Sequence, residues 1–409
     1  MTFKGFLNIL LIGLLCFQCT GQEPQPGTST EVVVKPVVKP LPIVVGAAQT
    51  NRYLPLLEGK RVALVANHTA MINDIHLVDS LLALKVNVVK VFSPEHGFRG
   101  KADAGEKVSS DKDPGTGLAI VSLYGNNKKP TAEQLKGIDV VLFDIQDVGA
   151  RFYTYISTMH YVMEACAESK IKLIVLDRPN PNGHYVDGPI LDPKFKSFIG
   201  MHPVPIVHGM TVGEYAWMIN GEGWLANGIS CNLDVIPVEY YNHTTFYELP
   251  IKPSPNLPNM GSVYLYPSLC LFEGTPISIG RGTDKPFQVV GHPKIESDRY
   301  SFTPQPTEGA KHPKLENELC HGYDLSTFGQ EYIKSNPKIN LFWLIDVYSS
   351  YPEKDKFFNE SFNLLAGSDQ LQKQLKEGVS EQEIYKSWQP GLKAFKVTRK
   401  KYLLYEDFE

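Results

Sequence analysis

A chain of 409 residues is long for one hydrophobic core, so two domains are the natural expectation. With 43% hydrophobic, 21% charged and 11% aromatic residues, it has the makeup of a well-packed soluble protein. A formal net charge of -4, with no basic run, gives no reason to expect nucleic-acid binding.

The first residues stand apart. Lys4 precedes the apolar run 6–15, and Cys16 and Cys19 follow. That run is shorter than the ~20 residues a membrane-spanning helix needs. With a basic residue in front it reads as a signal peptide over 1–21, which predicts export. Cys19, before Thr20-Gly21-Gln22, is a candidate lipid-bearing residue of a bacterial lipoprotein. Attachment there would leave the protein periplasmic or anchored at the outer membrane, although Cys16-Phe17-Gln18 departs from the usual small-residue signal. Residues 22–45 form a Pro-rich linker in which Val-Val-Lys-Pro stands at 33–36 and again at 37–40. Prolines so spaced favour an extended chain of about 3 Å per residue, which suits either a spacer or an unstructured tail. Beyond the signal, Cys166, Cys231, Cys270 and Cys320 have no CxxC spacing, and buried free thiols are expected.

From Gly59, strand and helix alternate. Residues 61–66 predict a buried strand ending in Asn67-His68-Thr69, and 74–84 a helix whose apolar side carries Leu77, Val78 and Leu81. A second strand over 86–92 runs straight into Ser93-Pro94-Glu95-His96-Gly97-Phe98-Arg99-Gly100. Residues 118–123 give a third strand, and Thr131 caps a short helix begun by Ala132-Glu133-Gln134-Leu135. The continuous apolar run 139–143 is what a parallel strand covered on both faces needs. A helix over 154–169 and a strand over 172–176 follow. This alternation gives a parallel α/β sheet. It contains no G-x-G-x-x-G and no G-x-x-x-x-G-K-[ST], so neither a dinucleotide nor an NTP is supported and no cofactor is expected.

Thr211 then caps a helix through Asn220, and 233–238 is a further strand. From about Lys252, prolines at 253, 255, 258, 267 and 276 punctuate shorter elements. Strands near Ile277 and over 341–347, with helices over 325–333, 353–365 and 370–375, make a smaller mixed α+β domain. The expected division is 46–251 for the catalytic domain and 252–409 for the auxiliary one.

Ligands of open α/β sheets bind at the carboxyl ends of the strands. Three strands here end in loops rich in acids and arginine. The first holds Glu95, His96 and Arg99; the second Asp144, Gln146, Asp147, Arg151, Tyr153 and Tyr155; the third Asp177-Arg178-Pro179-Asn180. Singly, each has a plain structural account: Asp144 bonds loop amides, Asp147 caps the next helix, and Asp177 with Arg178 staples a loop. Their convergence on one crevice is the functional signal. The second half adds Glu273-Gly274-Thr275 and Gly280-Arg281-Gly282-Thr283, where an arginine between glycines suits a bidentate carboxylate contact. His208-Gly209-Met210-Thr211 stands at a helix start, where a histidine often serves only as a cap neighbour.

Two chemistries fit carboxylates in a cleft without a nucleotide motif. Glycoside hydrolysis takes one carboxylic acid to protonate the leaving oxygen and usually a second as nucleophile or base. Glu95, ending a strand beside Phe92 and Phe98, suits the acid. Alternatively His68, Glu95, His96, Asp144 and Asp147 would hold a divalent metal, although no HExxH-type spacing supports it and no metal site is assigned.

Eight boxes in order resemble one family: Asn67-His68-Thr69, the 93–100 loop, Asp144 through Tyr155, Asp177 through Pro181, His208 through Thr211, Pro253-Ser254-Pro255-Asn256, Glu273-Gly274-Thr275 and Gly280 through Thr283. These are similar to the NamZ-type exo-β-N-acetylmuramidases, long catalogued only as a domain of unknown function. The likeness runs from about Gly46 to the C-terminus. Departures are small: Ser93 stands where glycine is common, and Ile277-Ser278-Ile279 replaces a more polar run before Gly280.

The resemblance implies a Rossmann-like domain with a smaller auxiliary domain and an active cleft between them. It also implies release of single N-acetylmuramic acid units from the non-reducing end of peptidoglycan fragments, muropeptides and disaccharides. Glu95 corresponds to the family's catalytic glutamate. Asp147, Asp144 or Glu273 would support the oxocarbenium-like state, with Asp147 and Glu273 preferred, and the substrate's acetamido group would replace a protein nucleophile. Arg281 or Arg151, then Arg99, would read the lactyl carboxylate. Asn67, His68, His96, Tyr153, Asp177, Arg178, Asn180 and His208 complete the expected substrate contacts. The competing class is a non-catalytic cell-wall-binding lipoprotein, for which the tether and the aromatic loop at Phe152, Tyr153 and Tyr155 would suffice.

Overall fold

A computed structural model describes residues 41–95, 97–98 and 111–409. The expected signal peptide, the linker up to residue 40, Cys19, His96 and Arg99 lie outside those residues. The first half comprises α1 (Thr50–Leu57), β1 (Val62–Ala66), the hairpin β2 and β3 (Met71–Ile72, Ile75–His76), α2 (Leu77–Ala83), β4 (Val88–Ser93), β5 (Asp111–Lys112) and β6 (Ala119–Ser122). It continues through α3 (Ala132–Leu135), β7 (Val140–Asp144), α4 (Tyr155–Ser169), β8 (Lys172–Leu176), α5 (Val212–Gly221) and β9 (Leu233–Ile236).

These strands form one sheet in the order β5-β6-β4-β1-β7-β8-β9, parallel except for β5 at the edge. From β1 the chain builds outward through β4 and β6, then returns to lay β7, β8 and β9 on the other side. The order therefore reverses between β1 and β7, and a crevice opens outside the carboxyl ends of strands at such a point.

Both faces of the sheet are covered, which is why its strands are apolar without alternation. Val62, Leu64, Val140, Leu142, Ile174 and Leu176 face one core with α1 and α2. Their neighbours Ala63, Val65, Val141, Phe143, Leu173 and Val175 face the other with α4 and α5. Truncating a fully buried ring such as Phe143 would cost about 3–5 kcal/mol. The expected caps are present: Thr131 and Gln134, and Thr211 and Glu214, form reciprocal capping boxes at α3 and α5.

The helix expected over 74–84 begins only at Leu77. Asn73 takes a left-handed conformation (φ 52°), which asparagine tolerates, and turns the chain into the β2–β3 hairpin with Ile75 exposed. His76 Nδ1 then accepts from the Val78 amide and caps α2.

The second half holds α6 (Met260–Leu269), β10 (Val289–His292), β11 (Ser301–Phe302), β12 (Cys320–Asp324), α7 (Phe328–Ser335), α8 (Phe342–Ser350), α9 (Glu360–Ala366), α10 (Gln370–Lys376) and α11 (Glu381–Arg399). Its sheet is antiparallel, in the order β10-β12-β11. The strand expected over 341–347 is helix α8, whose buried Trp343, Leu344 and Val347 share one helical face. Near Ile277 there is only an isolated bridge from Ser278 to Gly291. The helix expected over 353–365 breaks into a tight turn at Lys354–Lys356 and α9. Helices α6 and α11, each with an internal proline, were not expected.

Residues Leu41–Glu409 form one compact unit, and residues on both sides of position 252 build its main core, from Phe143 and Tyr155 to Phe272, Phe287 and Trp388. Cys166, Cys231, Cys270 and Cys320 are buried free thiols. Among the described residues, no helix is long and apolar enough to cross a membrane.

Candidate active site

Strand β4 ends at Ser93, and Pro94, which cannot extend a central strand, turns the chain so that half-buried Glu95 lies at the sheet's carboxyl edge. Strand β7 feeds a loop that returns at Phe152-Tyr153-Thr154 before α4 starts. In that loop Gly149 has φ 77°, and a Cβ there would stand 2.2 Å from Asn180 Oδ1, so only glycine fits. The loop brings Thr154 against Glu95, and the Thr154 hydroxyl donates to Glu95 Oε2 at 2.9 Å. Thr154 occupies the N-cap position of α4, yet its side chain makes no capping bond to that helix.

The opposite wall comes from the second half of the chain. Glu95, Tyr153, Thr154 and Tyr155 share a cavity of ≈ 120 Å3 with Ser254, Asn256, Tyr266, Glu273, Arg281 and Phe287. Arg281 lies between Gly280 (φ 79°) and Gly282 (φ 81°), a turn that aims its side chain into the cavity. Its Nε donates to Glu273 Oε1 at 2.7 Å, and Nη2 lies 2.7 Å from the same oxygen. The guanidinium also sits over the Phe287 ring, 4.9 Å from its centroid. Nη1 has no partner among the described residues.

Behind this wall a fixed hydrogen-bond chain orients the tyrosines. Asn67 Oδ1 accepts from the Thr69 amide (2.9 Å) and hydroxyl (2.6 Å), so its Nδ2 is the end that donates to Tyr155 Oη at 2.9 Å. Burial first, then the Glu95 charge, raises the Tyr155 hydroxyl well above the usual phenol range, so it stays protonated. Tyr153 donates to Pro253 O at 2.9 Å and packs edge-to-face with Tyr155 and Tyr266. His68 Nε2 lies 2.9 Å from Lys252 O and ties the β1 end to the loop bearing Ser254.

The remaining expected site residues lie elsewhere. Arg151 is buried: Nη1 donates to Pro189 O and Val204 O, and Nη2 to Leu365 O and Ala366 O. It fastens the first half of the chain to α9 and does not line the cavity. Asp144 and Arg178 form a buried bidentate pair at 2.5 and 2.8 Å. Asp177 accepts from Thr211 Oγ1, the Gly213 amide and Tyr405 Oη, which anchors the start of α5; burial pushes its carboxyl up to about 6. Asn180 donates to Met210 O. His208 is buried, accepts from the Met210 amide, and is held down to about 3 by burial and then by Arg399.

Asp147 lies behind the tyrosines, 4% exposed, and accepts from the Gly149 amide at 2.7 Å. Burial pushes its carboxyl up to about 7. Among the described residues, no group of three or more His, Cys, Asp or Glu side chains could hold a metal ion.

Of the expected residues, the structure thus gathers Glu95, Tyr153, Glu273 and Arg281 on one cavity, with Asn67 and His68 directly behind it. Tyr155, named above with the aromatic loop, lines it too, and so do Thr154, Ser254, Asn256, Tyr266 and Phe287, which were not singled out. Thr154 and Tyr155 end the Asp144 box, and Ser254 and Asn256 form the Pro253 box, so their signal was present in those motifs.

Comparison with known proteins finds matches over nearly the whole chain. The model for the N-terminal part of exo-β-N-acetylmuramidase NamZ matches residues 62–261, and that for its C-terminal part matches 264–405. The peptidoglycan β-N-acetylmuramidase NamZ of Bacillus subtilis (strain 168) is 37% identical over 427 residues, covering 97% of this chain and 98% of the relative. A crystal structure of a DUF1343 family protein from Bacteroides fragilis NCTC 9343 superposes with a TM-score of 0.84 at 51% identity, covering 90% of this chain and 100% of that one. A second DUF1343 structure from the same organism gives 0.75 at 29% identity, over 89% and 99%.

Proposed function

The chain belongs to the exo-β-N-acetylmuramidase NamZ family, and we propose that it is a glycosidase releasing terminal N-acetylmuramic acid from the non-reducing end of peptidoglycan fragments. One observation carries this reading: Glu95, from the end of β4, and the Glu273–Arg281 pair, from the far half of the chain, open on the same cavity.

In this reading Glu95 gives its proton to the glycosidic oxygen as the C1–O bond breaks, and Thr154 holds the carboxyl in place. The carbonyl oxygen of the substrate's own acetamido group closes on C1 and takes the place of a protein nucleophile. Glu273 supplies negative charge facing the developing cation. Water then opens the ring so formed and returns a proton to Glu95. Arg281 meets the lactyl carboxylate that distinguishes N-acetylmuramic acid from N-acetylglucosamine, through the Nη1 donors that Glu273 leaves unused.

A chromogenic β-N-acetylmuramide tests the reading. Turnover by the wild type, abolished in Glu95→Gln and retained with a chelator, is expected. No turnover by the wild type would point to a cell-wall binder, and loss with the chelator to a metal-dependent hydrolase.

Export, with attachment through a lipid on Cys19, is part of the same proposal and rests on Lys4, the apolar run 6–15 and the Pro-rich spacer. A labelled fatty acid should be incorporated by the wild type and not by Cys19→Ser.

A further inference from the structure

A second cavity, ≈ 580 Å3, opens where β1, β7 and β8 end, at the point where the strand order reverses. Its floor holds Gln146 and Arg178, 4% and 5% exposed. Gln146 Nε2 donates to Asp147 O at 2.8 Å and to Pro179 O at 2.7 Å, which fixes the amide. Oε1, an acceptor, is left without a partner among the described residues. Arg178 gives Nε and Nη2 to Asp144 and Nη2 also to Met71 O, which leaves Nη1 similarly without one. Tyr247 lines the same cavity and adds a hydroxyl that also lacks a partner among the described residues. Ile43, Val45 and Ile251 line the same cavity as apolar wall.

Convergent polar atoms on an apolar cavity are the mark of a ligand site. The bidentate Asp144 balances the Arg178 charge on the floor, and exposed Asp74 adds a negative charge to the lining, so the cavity favours a neutral polar group over an anion. An acceptor and a donor together match a secondary amide, whose N–H would go to Gln146 and whose carbonyl to Arg178, with a methyl on the apolar wall. A carboxylate would satisfy Arg178 but set its lone pairs against Gln146 Oε1. We propose that this cavity binds the N-acetyl group of an amino sugar, separately from the cavity that holds Glu95. The choice of sugar over peptide rests on the peptidoglycan reading above.

The test is binding to the full wild-type chain, followed by saturation-transfer NMR and calorimetry. The probes are the N-acetylglucosamine disaccharide, its N-deacetylated form, and an alanine dipeptide blocked as acetyl and methylamide. The acetylated disaccharide should bind, and the deacetylated one at least about tenfold more weakly. Ile251→Trp, which fills the cavity, should weaken binding about tenfold, and Tyr247→Phe, which keeps the shape, about threefold. If Ile251→Trp does not fold, Tyr247→Phe carries the test. Equal binding of the deacetylated sugar, affinity unchanged in both variants, or tighter binding of the dipeptide would overturn the proposal. Wild-type turnover of the chromogenic muramide is read separately. Variant-sensitive acetamide binding without turnover leaves this site standing and removes the proposed function; turnover without such binding does the reverse.

Discussion

Thr154 stands one residue before α4 and spends its hydroxyl on Glu95, 2.9 Å away, instead of on the helix it introduces. Threonine at this position ordinarily accepts from an amide of the first turn. Diverting it fixes the rotamer of the proposed acid. Thr154→Val, which keeps the shape and removes the donor, should therefore lower kcat about tenfold with KM little changed, and Thr154→Ser should restore it. Because no cap is lost, melting should move by less than about 1 kcal/mol equivalent. Equal losses in the valine and serine variants would detach Thr154 from the chemistry.

Arg281 carries the prediction about selectivity. Removing a charge-assisted contact to the lactyl carboxylate should cost about 2–4 kcal/mol in kcat/KM for the muramide. The N-acetylglucosaminide, which lacks that group, should be affected far less by Arg281→Ala. The variant also strips Glu273 of its partner, so Arg281→Lys is the cleaner companion; it keeps charge near Glu273 but loses the planar fork. A preference for the lactyl sugar that survives both substitutions would rule Arg281 out.

Arg151 should behave in the opposite way. It is 1% exposed and bonded to four carbonyls, two of them on α9. Arg151→Met should destabilise the fold by about 3–5 kcal/mol, since four buried acceptors lose their donor. The KM of whatever remains folded should stay within about threefold of the wild type. A raised KM with an unchanged denaturation midpoint would return Arg151 to the substrate.

The contrast between the two arginines shows where sequence reasoning stops. Both follow a glycine closely in an otherwise polar loop, and both were candidates for the same contact. What separates them is tertiary: the carbonyls of Leu365 and Ala366 lie 214 and 215 residues beyond Arg151. The α/β alternation was legible because a parallel strand covered on both faces must be apolar throughout. Glu95 was legible because Pro94 ends β4 at the edge where ligands bind. Helix α8 was misread because a short apolar run fits strand and buried helix alike. Helix α11 went unseen behind its many charges and Pro390, although Ile384, Trp388, Leu392 and Phe395 keep helical spacing.

Asp147 supplies a test in which pH sets the sign. Burial pushes its carboxyl up to about 7, against the opposing amides of Gly149 and Val148. The folded protein therefore keeps a proton that the unfolded chain, with an ordinary carboxyl near about 4, gives up. The associated stability is fully present below that lower value and is lost as pH rises through 7. Asp147→Asn still offers an oxygen to the Gly149 amide but cannot ionise. It should raise the melting temperature at pH ~8, by an amount on the order of 2–4 kcal/mol, and give no gain at pH ~4. A variant effect that stays flat across this range would mean that the Asp147 proton is not linked to folding. Kinetics on the same variant decide its second role: a buried, protonated neighbour of Tyr153 and Tyr155 can be replaced with kcat within about fivefold at pH ~6. A loss beyond about a hundredfold in a fully folded variant would place Asp147 in the reaction itself, acting on the substrate through the tyrosine wall.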